Sequence, residues 1–146
     1  MKLKTVHQSV LLWYSAQEMF DLVVDVPRYP EFLPWCDQAR IVETLPDGMV
    51  AQIGMHVAGL KKSFTTHNTH QPGRQVALTL VDGPFKALHG TWDFIPMGVE
   101  RACKVELHLS YSFDSLFGNL VAPVFDRIAA TLVNAFVERA QQVYGP

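Results

Sequence analysis

A chain of 146 residues, 49% hydrophobic and 18% charged, is long enough for one core and too short for two comfortable domains, so residues 1–146 read as a single domain. The hydrophobic fraction excludes a disordered chain. A formal net charge of −2, from 12 Lys and Arg against 14 Asp and Glu, excludes a protein built to coat nucleic acid, and no DNA partner is expected.

Lys2 and Lys4 make the first residues basic, but Thr5, His7, Gln8 and Ser9 interrupt any apolar run behind them, so no signal peptide is expected. No apolar run reads as long enough to span a bilayer. The two cysteines, Cys36 and Cys103, lie far apart and form neither a zinc pattern nor a CxxC motif. They read as reduced thiols in the cytoplasm.

The first predicted element is a strand over residues 2–12. Ser15-Ala16-Gln17-Glu18 then has the form of a capping box, with Met19, Phe20, Leu22 and Val23 on the face of the helix that follows. Pro27 and Pro30 stop that helix, and residues 28–34 read as a helical turn or loop. From Gln38 to Asp114 the pattern changes to strands and turns. Pro46-Asp47-Gly48, Val57-Ala58-Gly59, Gln71-Pro72-Gly73 and Pro96-Met97-Gly98 mark four hairpins. In the last strand Cys103, Val105, Leu107, Leu109, Tyr111 and Phe113 alternate with Lys104, Glu106, His108, Ser110 and Ser112, which gives one buried and one wet face. Leu88, Gly90, Trp92 and Phe94 alternate with polar residues in the same way. Residues 116–144 read as a long helix whose apolar stripe is Val121, Phe125, Ile128, Leu132, Ala135 and Phe136. Pro123 falls in its first turns or bends it there.

These elements specify an α+β fold: a curved antiparallel seven-strand sheet wrapped around a long C-terminal helix. The sheet's inner face needs a cover, and only the last helix is long enough to supply one. Leu78, Leu80, Leu88, Trp92, Phe94, Leu107 and Leu109 are expected on the concave face. A sheet wider than the helix leaves a gap, a natural place for an apolar ligand.

Catalytic signatures are absent: no G-x-S-x-G elbow, no phosphate-binding glycine loop, no pair of carboxylates spaced for acid–base work. His67-Asn68-Thr69-His70 spells H-x-x-H, but residues three apart on a strand point to opposite faces, so no metal is expected. Tyr111, Thr66 and Asn68 are the polar residues on inward faces, where structural hydrogen bonds account for them. Lys61 and Lys62, with Arg74 and Lys86 nearby, form a basic cluster that reads as an ordinary solvated turn.

Aromatic placement says more. Tyr29-Pro30-Glu31-Phe32-Leu33-Pro34-Trp35 and Asp82-Gly83-Pro84-Phe85 put large apolar groups on connections, where polar residues are usual. These two segments are expected to form opposite lips of a cavity. Proline stiffens both and lowers the cost of ordering them. The ligand-binding set is then Tyr29, Phe32, Leu33, Trp35, Phe64, Leu80, Phe85, Leu88, Trp92, Phe125, Ile128, Leu132 and Phe136, with no catalytic residue and no required cofactor.

At this point the residues meet a family. Residues 26–36, Val-Pro-Arg-Tyr-Pro-Glu-Phe-Leu-Pro-Trp-Cys, resemble the signature of the coenzyme Q-binding, START-like proteins of the helix-grip (SRPBCC) superfamily. That group includes ribosome association toxins and proteins once labelled oligoketide cyclase/dehydrase. Ser63-Phe64-Thr65-Thr66, Leu80-Val81-Asp82-Gly83-Pro84-Phe85-Lys86, Leu88-His89-Gly90-Thr91-Trp92, Cys103-Lys104-Val105 and Ala135-Phe136-Val137-Glu138-Arg139-Ala140 carry the resemblance along the whole chain. It implies the helix-grip fold and the binding of ubiquinone or a related polyprenyl lipid in support of respiratory electron transfer, without catalysis. Apart from the resemblance, the two apolar segments also suit transient peripheral contact with an inner-membrane surface, or with a protein partner. A polyprenyl chain burying about 300 Å² would gain roughly 7 kcal/mol, of which at least about 4 kcal/mol is offset by lost translational freedom. The same resemblance implies a second reading, a toxin that binds the large ribosomal subunit and blocks subunit joining. A third, polyketide cyclase or dehydratase, rests on fold analogy.

Overall fold

The computed structural model describes residues 3–57 and 59–146, with 115–117 and 119 described by their backbone alone. Lys2 at the start of the first predicted strand and Ala58 in the second predicted turn lie outside the described residues.

The elements follow the expected order. They are β1 (Lys4–Leu12), α1 (Ala16–Val24), a 3-10 helix (Val26–Glu31), β2 (Cys36–Leu45), β3 (Gly48–Val57), β4 (Leu60–Gln71), β5 (Gln75–Asp82), β6 (Phe85–Pro96), β7 (Cys103–Phe113) and α2 (Ser115–Tyr144). The capping box forms as read. The Glu18 amide donates to Ser15 Oγ at 3.0 Å, and the Ser15 amide donates to Glu18 Oε1 at 2.8 Å.

The seven strands form one antiparallel sheet in the order β1-β7-β6-β5-β4-β3-β2. Short turns force β2 to β7 into a meander. α1 and the 3-10 helix cross one end of the sheet, so β1 and β2 occupy opposite edges. Register shifts at Cys36/Gln38, Ile41/Glu43, Thr65/Thr66 and Phe85/Ala87 insert bulges that bend the strands and curl the sheet. Gly90 lets β6 lie close against β7: a Cβ there would sit 2.3 Å from the His108 carbonyl oxygen.

α2 lies in the concave face. Val121, Phe125, Ala129, Val133, Phe136 and Ala140 are buried along one face, spaced three or four apart, with Ala122 buried beside them. The expected Ile128 and Leu132 flank that line and stay half-buried. Pro123 falls within the helix and removes one backbone hydrogen bond there. Contrary to the expectation from apolar runs, Leu120–Tyr144 is long and apolar enough to cross a membrane by length and composition alone, a test that a core helix also passes. Here its apolar side is spent on the sheet instead.

Two hydrophobic clusters result. The larger joins α1, α2 and the inner faces of β5 to β7, with Leu88, Trp92, Phe94, Leu107 and Leu109 fully buried as expected and Leu78 and Leu80 packed at its margin. The smaller packs the 3-10 segment on β2 and β3 through Val26, Leu33, Cys36, Met49, Ala51 and Ile53. Burial pushes the Cys36 and Cys103 thiols up to about 11, so both stay protonated.

Polar clamps fix where α2 sits. Asp126 receives Lys4 Nζ at 2.6 Å and the Tyr111 hydroxyl at 2.5 Å, joining α2 to β1 and β7. The Gln8 amide donates to the Ala130 carbonyl. At the other end the Tyr144 hydroxyl donates to the Glu18 carbonyl at 2.8 Å, and Arg139 pairs with Glu31 at 2.7 Å. Burial alone would raise the Asp126 carboxyl, but the Lys4 and Tyr111 hydrogen bonds outweigh it and hold the group below its usual value. Replacing Asp126 by Ala strands the hydroxyl of a buried tyrosine. We expect Asp126→Ala to lose about 1–2 kcal/mol in urea unfolding, and Asp126→Ala with Tyr111→Phe to lose less than the sum of the two single changes. Additive losses would show that the two side chains are not coupled.

Candidate functional site

The gap between sheet and helix is real. A cavity of about 110 Å³, within about 760 Å³ of atom-free space counted out to its mouth, lies where the two hydrophobic clusters meet. The smaller cluster contributes Val26, Leu33, Ala51 and Ile53. From the larger come Leu88, Trp92, Leu109, Phe125, Ala129 and Phe136. Tyr29, Trp35, Phe64, Leu78, Ile128 and Leu132 complete the apolar wall. The gap exists because Ala51 and Ala129 present no bulk where the clusters face each other.

Most of the expected binding residues therefore meet in one wall: Tyr29, Leu33, Trp35, Phe64, Leu88, Trp92, Phe125, Ile128, Leu132 and Phe136. Three do not. Phe85 is buried in an aromatic cluster, stacked on Phe113 at 4.8 Å and edge-on to Phe64 and Phe125 at 5.4 and 5.2 Å, so it is core and not a lip. Phe32 packs on Phe136 at 5.1 Å with the Arg139 guanidinium 5.0 Å above its ring, on the side of the helix away from the cavity. Leu80 packs at the core margin, one β-pleat beyond the cavity wall. Phe85 opens strand β6 and Leu80 lies within β5, while Phe32 sits on a connection. In each case the ring or side chain packs on the nearest buried surface, and sequence spacing does not say which surface that is.

Of the titratable groups, the described wall holds Tyr29. Its hydroxyl donates to the Val23 carbonyl, and burial pushes its pKa well above the usual value, so the phenol stays protonated. Thr66 and Asn68 supply the remaining polarity. Both are buried, and Thr66 Oγ1 donates to Asn68 Oδ1 at 2.7 Å. On the next inward position of β4 lies His70, whose Nε2 is buried without a partner and whose ring meets Phe20 edge-on at 5.8 Å. His67 is exposed on the other face, so the H-x-x-H pair is split as strand geometry requires.

A different group does converge. His7 and His108 are directly paired across β1 and β7 with rings stacked at 4.2 Å, and with Glu106 they place ligand atoms within 4.8 Å of one another. By donor type these residues would hold a divalent transition ion on the outer face. Lys104 Nζ at 3.0 Å and His108 Nε2 at 3.2 Å already engage the Glu106 carboxylate. Sequence spacing missed this group because it forms across strands distant in the chain.

The basic cluster divides. Lys61 and Lys62 share a shallow groove with Gly83 and Pro84, which brings Lys86 to the same end of the sheet. Arg74 sits at the far end of the twelve-residue strand β4, in the β4–β5 turn, and does not join them. An exposed apolar patch also went unread: Trp13 is 80% and Leu11 67% exposed, beside Met97 and Val99 on the β6–β7 turn.

Comparison with known proteins fits this geometry. Residues 12–137 match the family model described as polyketide cyclase / dehydrase and lipid transport. The chain belongs to that family. It is 47% identical to the ribosome association toxin RatA of Vibrio cholerae over 144 residues, spanning 98% of this chain and 99% of that protein. It is 28% identical to the mitochondrial coenzyme Q-binding protein COQ10 homolog B of Xenopus laevis, spanning 94% of this chain and 58% of that protein. The crystal structure of an aromatase/cyclase from a Streptomyces species superposes with a TM-score of 0.83 at 17% identity, over 97% of this chain and 95% of that one. That last likeness is one of fold, and the fold is START-like as expected.

Burial lowers the His70 pKa, and the Asp47 charge opposes that shift more weakly. A neutral imidazole buried in the fold contributes stability that is complete above the unfolded value near 6.5 and is lost as pH falls through the lower folded value. We expect the urea midpoint of the wild type to fall between pH 7.5 and 5.5, and His70→Leu to reduce that fall. An equal fall in both proteins would assign the pH dependence to other groups.

Proposed function

We propose that this chain acts at the ribosome, binding the large subunit and interfering with subunit association, through the outside of the grip. The observation that carries this reading is 47% identity to a ribosome association toxin along 98% of the chain. The match runs nearly end to end on both proteins. Net charge argues against broad RNA coating, so contact must be local. Lys61 and Lys62, exposed at the β3–β4 turn with Lys86 at the same end, are the local positive charge that phosphates would meet.

The cavity supports a second reading that is compatible with the first, because it uses the inside of the fold. Its wall is apolar and its room suits a ring-sized group, with the remainder of a longer molecule lying toward the mouth. A quinone or other apolar lipid fits that description, and the likeness to a coenzyme Q-binding protein favours it. Such binding asks for no catalytic residue. The cyclase reading rests on shared fold, which carries no activity across. Among the described residues the cavity wall offers no acid–base pair to give it a mechanism.

Co-sedimentation with purified large subunits at rising salt tests the ribosome reading. For two phosphate contacts we expect log affinity to fall with log salt at a slope of about −2. Lys61→Glu with Lys62→Glu should weaken binding at low salt about tenfold or more and flatten that slope. Absence of co-sedimentation at low salt would overturn the ribosome reading and leave the cavity ligand as the function.

A further inference from the structure

Asn68 does not behave like a core asparagine. Its side chain is 8% exposed and stands in a wall otherwise made of hydrocarbon and aromatic rings. The Thr66 hydroxyl, itself 4% exposed, donates to Asn68 Oδ1 at 2.7 Å. That bond sets the amide plane and uses the oxygen. Among the described residues nothing accepts from Asn68 Nδ2, and that nitrogen is not among the fully buried atoms that lack a partner, so it keeps open space before it at the cavity wall. An amide donor set in an apolar wall with no acceptor is costly, and cores avoid it. A leucine would fill the same volume without that cost. The donor faces a cavity of about 110 Å³, large enough for one ring system.

We infer that Asn68 is the specificity residue of the cavity: the ligand is a neutral, ring-sized apolar group that carries a carbonyl-type oxygen, and it accepts a hydrogen bond from the Asn68 amide, which Thr66 holds in place. This rests on reading the cavity as a site for an apolar ligand. Neutrality follows from the wall, which among the described residues contains no cation to receive a carboxylate or phosphate and no carboxylate to receive an amine. A site built around a hydrogen bond rejects the analogue that lacks the oxygen, because the buried donor is then left unpaired.

The test uses two molecules of one shape, 1-indanone and indane, which differ by the carbonyl. Each is titrated into the full chain and followed by amide chemical shifts of cavity residues, in the wild type, in Asn68→Leu and in Thr66→Val. We expect Asn68→Leu to weaken 1-indanone about tenfold while indane binds as well or better, the size of one lost hydrogen bond. Thr66→Val, which removes the bond that orients the amide but leaves the donor, should weaken 1-indanone less and leave indane unchanged. It also serves if Asn68→Leu does not fold. If both molecules bind the cavity and neither variant changes their ratio, the inference is overturned and the apolar-ligand reading stands. If neither molecule shifts cavity resonances in the wild type up to its solubility, the cavity reading falls and the inference falls with it.

Discussion

The concave face of the sheet has to be covered, and α2 is the element that covers it. Everything else in the fold is arranged around that constraint. Bulges curl the strands so that seven of them reach around one helix. Ala140, fully buried, lets the helix lie close against the core at that turn. Asp126, Gln8, Tyr144 and Arg139 then set the position of the helix along its axis by polar bonds from four different segments. Hydrophobic burial alone is non-directional and would tolerate sliding. The clamps remove that freedom.

A cavity survives because two clusters form instead of one. Rings close the cavity at one end: Phe85, Phe113, Phe125 and Tyr111 stack and cross at 4.8 to 5.9 Å. Phe20, Phe94 and Trp92 fill the other end. Between them the 3-10 segment meets α2 through Tyr29 on Phe136 and Glu31 on Arg139, and Ala51 of β3 faces Ala129 of α2 across the gap. Close packing is the rule in protein interiors, so a gap with Tyr29, Thr66 and Asn68 in its wall is the feature on which the proposed ligand reading rests.

Inside and outside are physically separate in this molecule. The cavity is neutral and apolar, while the lysines at the β3–β4 turn and the exposed Trp13 patch lie on outer surfaces formed by other residues. A family described by cyclisation and lipid transport, with relatives named for ribosome association and for coenzyme Q binding, is consistent with such a division.

Sequence by itself determined the elements and their faces. The period-two alternation in β6 and β7, the three-and-four stripe in α2 and the capping box at Ser15 are local patterns, and each is decided by geometry within one element. Together they required an antiparallel sheet around one helix, and they named most of the cavity wall. Which aromatic faces the cavity and which fills the core was decided only by tertiary structure. Phe85 and Phe32 look alike in sequence to Trp35 and Tyr29, yet their rings found partners elsewhere. The separation of Arg74 from Lys61, the meeting of His7 with Glu106 and His108, and the small alanines that open the gap depend on register and on how two clusters meet. Those are properties of pairs of segments far apart in the chain, and no single segment's pattern encodes them.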